Sequence, residues 1–376
     1  VSYAFQTLIH EKARYAAGVG AVAFSALLIV LQVGLLLGLF EITSVPVDYT
    51  TADIWVGSQD VKSIDLGTQI TANTHMARLT EKPGLKGQPE YFLANYANVT
   101  RPDGGMERCF ILGSSLEANA CGAATVLTPN LRAALTEPNS IVIDESEMKR
   151  LNLTAVGDTI KISGVEVKLV GTVKGIKSLA APWVFCSHTT ARKLLALFLS
   201  PDHTTYLLAR ADSPVRAREI VNELSAEYPD MATFTAADFS FSCRWYWLTR
   251  TKAGLAIGYA ALLGLLVGAV ITAQTLYSAT MASAKEYATL LALGIPRRKI
   301  YWLVMEQSFW VGLIGVTFAY PIIRLLAYAA GSAGTRVVLR WEVLSGAALL
   351  TVFTALLSGL FALRSVRKIE PMSLLR

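Results

Sequence analysis

The side chains able to do chemistry in this chain are few and scattered. Four cysteines, Cys109, Cys121, Cys186 and Cys243, could hold a soft metal, form disulfides or act as nucleophiles. Four histidines, His10, His75, His188 and His203, could add nitrogen ligands or move protons. None of them stands at metal-ligand spacing, and H-E-x-x-H, G-x-S-x-G and paired Cys motifs are absent. No G-x-x-x-x-G-K-[ST] phosphate loop occurs, so the chain carries no recognisable nucleotide site. The expectation is a chain that binds no metal or cofactor and catalyses nothing. Cys109 and Cys121 lie close together in one loop-like region and form the disulfide candidate if that region is outside the cytoplasm; free buried thiols remain the alternative.

Two further ionisable residues are conspicuous because their surroundings are apolar. Glu306 and Arg324 interrupt the run from Ile300 to Ala329, and charge inside a bilayer is costly enough to be informative. They are eighteen residues apart, about 27 Å along an ideal helix, so they cannot pair within it. No chain of ionisable groups like a proton relay joins them, which argues against an ion-coupled transporter.

The chain is 53% hydrophobic and 16% charged over 376 residues, whereas a soluble protein averages roughly 25% charged. The apolar surplus is concentrated in four runs. Ala16 to Phe40 has no charge, and spans predicted over residues 16–40, 253–281, 300–329 and 343–363 each reach the roughly 20 residues that cross a hydrocarbon core. Residues 1–15 read as an amphipathic interfacial helix, and 364–376 as a cytoplasmic tail. The net charge of +6 is modest, and no basic patch interleaved with aromatics suggests nucleic acid.

Basic residues decide the orientation. Lys12 and Arg14, then Lys285, Arg297, Arg298 and Lys299, then Arg364, Arg367, Lys368 and Arg376 fall on one face, which the positive-inside rule makes cytoplasmic. Lys252, Arg336 and Arg340 on the other face are fewer. Both termini are then cytoplasmic, and residues 41–249 form an extracytoplasmic domain between spans one and two. Strand-like runs at Asp53–Gly57, Ser140–Ile143 and Thr204–Ala209, a hairpin from Gly157 to Lys174, and helical patterns at Asp144–Leu151 and Ser213–Glu227 make that domain α+β. The fold class is therefore a polytopic α-helical membrane protein of four transmembrane helices with an inserted α+β domain.

Residues 283–299, S-A-K-E-Y-A-T-L-L-A-L-G-I-P-R-R-K, join spans two and three on the cytoplasmic side. Tyr287, Leu290, Leu291 and Gly294 fall on one helical stripe, and Gly294 with Pro296 forms a stop signal. This segment reads as a coupling helix for a separate motor. Glycine pairs Gly34/Gly38, Gly254/Gly258 and Gly264/Gly268 permit close helix approach and are candidates for a dimer interface.

The order of parts, with A-K-E-Y-A-T-L-L-A-L-G-I-P-R-R-K-I, resembles the FtsX-like permeases of the MacB type of ABC transporter. That family's loop, R-E-x-x-x-L-x-A-L-G-A-x-x-x-x-I, is matched by Lys285, Glu286, Leu290, Ala292, Leu293, Gly294 and Ile300, with Lys285 in place of arginine and Ile295 in place of a small residue. Val156–Gly171 is similar to a motif of the family's membrane-distal domain, P-M-S-L-L-R to its tail, and L-I-H-E-K-A-R-Y to the DevC branch. The resemblance implies a bacterial inner-membrane homodimer working with a separate ABC ATPase that carries ATP and Mg. ATPase-coupling residues would then be Lys285, Glu286, Tyr287, Leu290, Leu291, Leu293 and Gly294. It further implies mechanotransmission to the extracytoplasmic domain, a HlyD-like periplasmic adaptor, an outer-membrane channel, and export of a lipid, glycolipid or other amphiphile. Regulation of a cell-wall hydrolase and lipoprotein release are the alternatives.

Overall fold

The computed structural model describes residues 12–176, 178, 180–332 and 337–366. In chain order the elements are α1 (Lys12–Asp48), β1 (Ile54–Ser58), β2 (Ile70–Thr71), α2 (Ala72–Thr80), β3 (Glu90–Thr100), β4 (Met106–Ser114), α3 (Pro129–Ala134) and β5 (Ser140–Asp144). There follow β6 (Thr159–Ile162), β7 (Val165–Val173), β8 (Trp183–Ser187), α4 (His188–Leu194), β9 (His203–Thr204), β10 (Tyr206–Ala209), α5 (Pro214–Glu227), β11 (Met231–Thr235) and α6 (Ala236–Arg250). The chain ends with α7 (Lys252–Ala282), α8 (Ala284–Ala292), α9 (Arg297–Ser332) and α10 (Trp341–Val366). It divides into two compact units, Leu39–Thr251 and the remainder, with the division inside α1. Most of the amphipathic stretch, residues 1–11, and the tail from residue 367 lie outside the described residues.

The inserted domain is built on a nine-stranded mixed sheet ordered β11-β1-β10-β3-β4-β8-β5-β7-β6. A further pairing of Val99 and Thr100 on β3 with Ile162 and Lys161 on β6 closes the last six strands into a barrel. Alternate residues of those strands, among them Leu93, Val99, Cys109, Ile111, Ile143, Ile162 and Leu169, form one buried cluster, as period-2 side chains on a closed sheet must. The β6–β7 turn has Ser163 at φ 49° and Gly164 at φ 82°. Two positive φ values in sequence give the twist that a two-residue hairpin requires.

Outside the barrel, α5 packs Ala217, Ile220, Val221 and Leu224 on Ile54, Val56 and Leu207. Its start follows from its sequence: Ser213 accepts a hydrogen bond from the Arg216 N–H, and Pro214 occupies the first turn, where no donor is needed. Another cluster gathers Trp55, Phe92, Tyr206 and Phe239, with Trp55 edge-on to Phe92 at 5.4 Å. Arg244 of α6 reaches the end of α1, donating to Ser44 Oγ at 2.9 Å and Asp48 Oδ2 at 2.7 Å.

Two sequence expectations are corrected here. The helix expected over Asp144–Leu151 is only a 3₁₀ turn, Glu145–Glu147. The Asp144 carboxylate accepts from the Ser146 and Ile176 amides, tying the chain to the segment after β7, and Asn152 takes φ 56°, which no helix continues through. The Cys109–Cys121 disulfide is not formed, and all four cysteines are free and buried. Cys109 faces the barrel interior, whereas Cys121 sits in the cluster around Trp55.

In the other unit, α1, α7, α9 and α10 are long and apolar enough to cross a membrane. The 31 residues of α7 extend about 46 Å, more than the hydrocarbon thickness of about 30 Å. Val22, Val311 and Ala355 join α1, α9 and α10, as do Ile29, Ile323 and Ala347. A Cβ on Gly264 would lie 2.8 Å from Gln32 Cγ and one on Gly34 would lie 2.8 Å from Val337 Cγ1, so these two glycines permit close approach within the chain itself. At Gly268 the carbonyl accepts from Ser25 Oγ at 2.6 Å, and Thr272 donates to the same hydroxyl at 2.8 Å. Gly38 and Gly254 are buried and Gly258 half-buried. Glu306 is half-buried and Arg324 exposed.

Candidate coupling site

The segment between the second and third spans forms α8, a helix of nine residues. Its end is specified in detail by its last few residues. Gly294 takes φ 83°, its N–H donates to Leu291 O at 3.0 Å, and the Ile295 N–H reaches Leu290 O at 3.1 Å. These two bonds are the Schellman pattern, and Ile295 and Leu290, the two residues it brings together, both pack against the same apolar cluster. Pro296 cannot continue a helix, yet suits the start of the next, and Lys299 N–H donates to Pro296 O as α9 begins.

The helix has two unlike faces. Tyr287, 2% exposed, with Leu290, Leu291 and Ile295, packs on Ile300 and Val304 in the opening turns of α9. The Tyr287 hydroxyl donates to the Gln307 Oε1 at 2.9 Å, and that bond is buried. Away from α9, Glu286, Thr289, Ala292, Leu293 and Gly294 are exposed, and Arg297, Arg298 and Lys299 continue the exposed surface. Leu293 is 74% exposed. The apolar stripe, whose contact the sequence left open between a motor and the spans, holds α8 to its own span through Tyr287, Leu290 and Leu291. Of the seven sequence candidates, Tyr287, Leu290 and Leu291 face inward, and Glu286, Leu293 and Gly294 face outward; the Lys285 side chain lies outside the described residues.

Sequence reasoning missed Gln307 and Thr289. Periodicity within α8 locates Thr289 on the outer face only once the inner face is known. Gln307 lies twenty residues beyond Tyr287 and across a turn, beyond the reach of any single-helix pattern.

The four cysteines and His75 are structural. Burial pushes the Cys109 and Cys243 thiols up to about 12 and raises those of Cys121 and Cys186 as well, which keeps them protonated. His75 Nδ1 lies 2.8 Å from the carbonyl of Thr71, the residue that caps the start of its helix. Among the described residues no group of three or more His, Cys, Asp or Glu side chains could hold a metal ion.

Comparison with known sequences bears on this same segment. Residues 258–371 match the family described as FtsX-like permease C-terminal. The match takes in most of α7 and all of α8, α9 and α10, and less than a third of the chain. An uncharacterised ABC transporter permease of Methanocaldococcus jannaschii is 29% identical over 128 residues, 32% of each chain. The chain thus spans about a third of that relative's length. Among solved structures, the periplasmic region of MacB from Actinobacillus actinomycetemcomitans is 10% identical, covering 52% of this chain and 93% of that one, with a TM-score of 0.35. The extracellular domain of the noncanonic ABC-type transporter YknZ from Gram-positive bacteria is 10% identical, covering 49% and 98%, with a TM-score of 0.33.

Proposed function

We propose that this chain is the membrane-spanning, non-catalytic subunit of a MacB/FtsX-type ABC system, and that α8 couples it to a separate ATPase. The observation that carries this reading is the two-faced α8: one face is fixed to α9 by Tyr287 and its apolar neighbours, and the other presents Leu293 beside Glu286 and Thr289. A solvent-exposed leucine at the end of a short, firmly docked helix suits insertion into a groove on a partner. Displacement of such a helix by the partner would move α9 with it. The clusters of basic residues favour a cytoplasmic α8, where ATP is available, with the inserted domain on the opposite side.

The partner supplies ATP and Mg. Two copies of the chain would embrace two ATPase copies, with the exposed face of α7, including Leu262, Leu266 and Val270, available to lipid or to the second copy. On this reading the inserted domain moves in response to ATP turnover and works with a periplasmic adaptor and outer-membrane channel of the DevC type to expel an amphiphile.

The test is affinity purification of the full-length protein from its own membranes, with ATP hydrolysis and mass spectrometry as readouts. Wild type should retain an ATPase subunit bearing a phosphate loop, and Leu293→Asp should lose it while remaining folded in the membrane. Retention of the ATPase by Leu293→Asp would reject the coupling assignment. A co-purifying cell-wall hydrolase in place of an adaptor would reject export.

A further inference from the structure

The inserted domain contains a cleft of about 1110 Å³, slightly above the usual range for small-molecule sites. Its position follows from the sheet. β4 and β8 are parallel neighbours, so Ser114 and Ser187 at their C-terminal ends reach the same rim, and β3, antiparallel to β4, begins there at Glu90 and Tyr91. Parallel strands deliver loops to one edge in this way, and such edges commonly hold ligands.

The charges around the cleft are unequal in their availability. Lys86, Lys193 and Arg210 line it with Glu90 and Glu117. The Glu90 carboxylate is already engaged by the Cys121 and Gly122 amides at 2.6 and 3.2 Å. Lys86 makes no ion pair among the described residues, and Lys193 donates only to the neutral Asn139 Oδ1, at 3.3 Å. Both lysines are exposed. Lys86 and Lys193 therefore line the cleft against one uncommitted carboxylate, that of the exposed Glu117, while the Glu90 carboxylate is spent within the fold.

His188 adds a second feature. Its ring lies against Tyr91 with centroids 5.9 Å apart, while Nε2 is shielded from solvent and has no hydrogen-bond partner. A buried polar atom without a partner is unfavourable, and a turn of the ring toward the cleft would relieve it if a ligand oxygen were there. Burial and the neighbouring Arg192 push the imidazole down to about 4, so near neutral pH it is uncharged and one nitrogen can donate.

We propose that this cleft binds an oxyanion-bearing small molecule, with Lys86 and Lys193 neutralising the phosphate or carboxylate and His188 hydrogen-bonding an oxygen. The site is independent of the coupling assignment, since no residue of α8 takes part.

The experiment is titration calorimetry on the full-length protein in detergent with three probes: inorganic phosphate, citrate, and dihexanoyl phosphatidic acid below its micellar concentration. At least one should bind saturably. Lys86→Gln and Lys193→Gln, both at exposed positions, should each weaken binding about tenfold, in the range of one charge-assisted hydrogen bond. His188→Phe, which keeps the ring contact with Tyr91, should weaken binding without lowering the melting temperature. Tighter binding of phosphatidic acid than of phosphate or citrate would assign the site to a lipid headgroup, and the reverse order to a soluble anion. Absence of saturable binding by all three probes, or binding undiminished in the Lys86→Gln/Lys193→Gln double variant, would overturn the proposal.

Discussion

Replacing Tyr287 by Phe removes one oxygen and little else, which makes it a sharp probe of how α8 is held. The lost bond to Gln307 is buried, and Gln307 is only 7% exposed. A net contribution of about 0.5–1.5 kcal/mol disappears, and a stranded amide oxygen costs about 1–3 kcal/mol. Docking of α8 on α9 should weaken by about 1–3 kcal/mol, a factor of about 5–150 in the docked ratio. Hydrogen exchange of the amides from Tyr287 to Leu293 reads this directly and should accelerate by a similar factor. The exposed face with Leu293 is untouched, so under the proposed coupling an ATPase partner should still co-purify, while any rise in ATP hydrolysis that this chain produces in it should fall. Tyr287→Phe/Gln307→Leu removes both polar partners and should recover much of the loss, because neither is then left buried alone. Unchanged exchange and unchanged hydrolysis in Tyr287→Phe would refute the reasoning.

The cysteines give a second check. With the Cys109 thiol pushed up to about 12, only about one in ten thousand is ionised at pH 8, and thiolate is the reactive form. Native protein should therefore resist iodoacetamide, and unfolded protein should take up four labels per chain without prior reduction; two labels would mean a disulfide. A third test concerns Gly113 of β4, where an added Cβ would fall 2.1 Å from the Ala191 Cβ. Gly113→Ala should force α4 off the barrel at about 1–3 kcal/mol, lowering the domain's thermal midpoint by roughly 2–10 °C in a melt of the full chain. A midpoint within a degree of wild type would show that α4 yields freely.

What the sequence disclosed was what local patterns encode. The apolar runs marked four helices, and alternation in Thr159–Val173 marked the β6–β7 hairpin, because one face of each strand is buried. β3 and β4 were hidden for the opposite reason. Phe92, Leu93 and Ala94 are consecutive and all buried, one side in the barrel and the other under Trp55, so no alternation remains to be read. Asp144–Leu151 looked helical because its residues suit a helix, but the Asp144 carboxylate was committed to Ile176, a contact thirty-two residues away. At the candidate site the helix, its stop and its stripe were legible. What the stripe touches was not, since an amphipathic face is equally suited to a partner and to the next span.

The order of strands in the sheet also bears on how the domain is made. β1 pairs with β10 and β11, and everything from β2 to β9 is inserted between those partners. A ribosome adding about 5–20 residues per second would need about 8–30 s to pass from Ser58 to Ala209. Through that interval β1 has both edges open, while the β6–β7 hairpin, whose contacts are local, can already have formed. The barrel can thus close before the sheet that carries it is complete. The interval before β10 and β11 emerge is when the nascent chain is most exposed to edge-to-edge pairing with other chains.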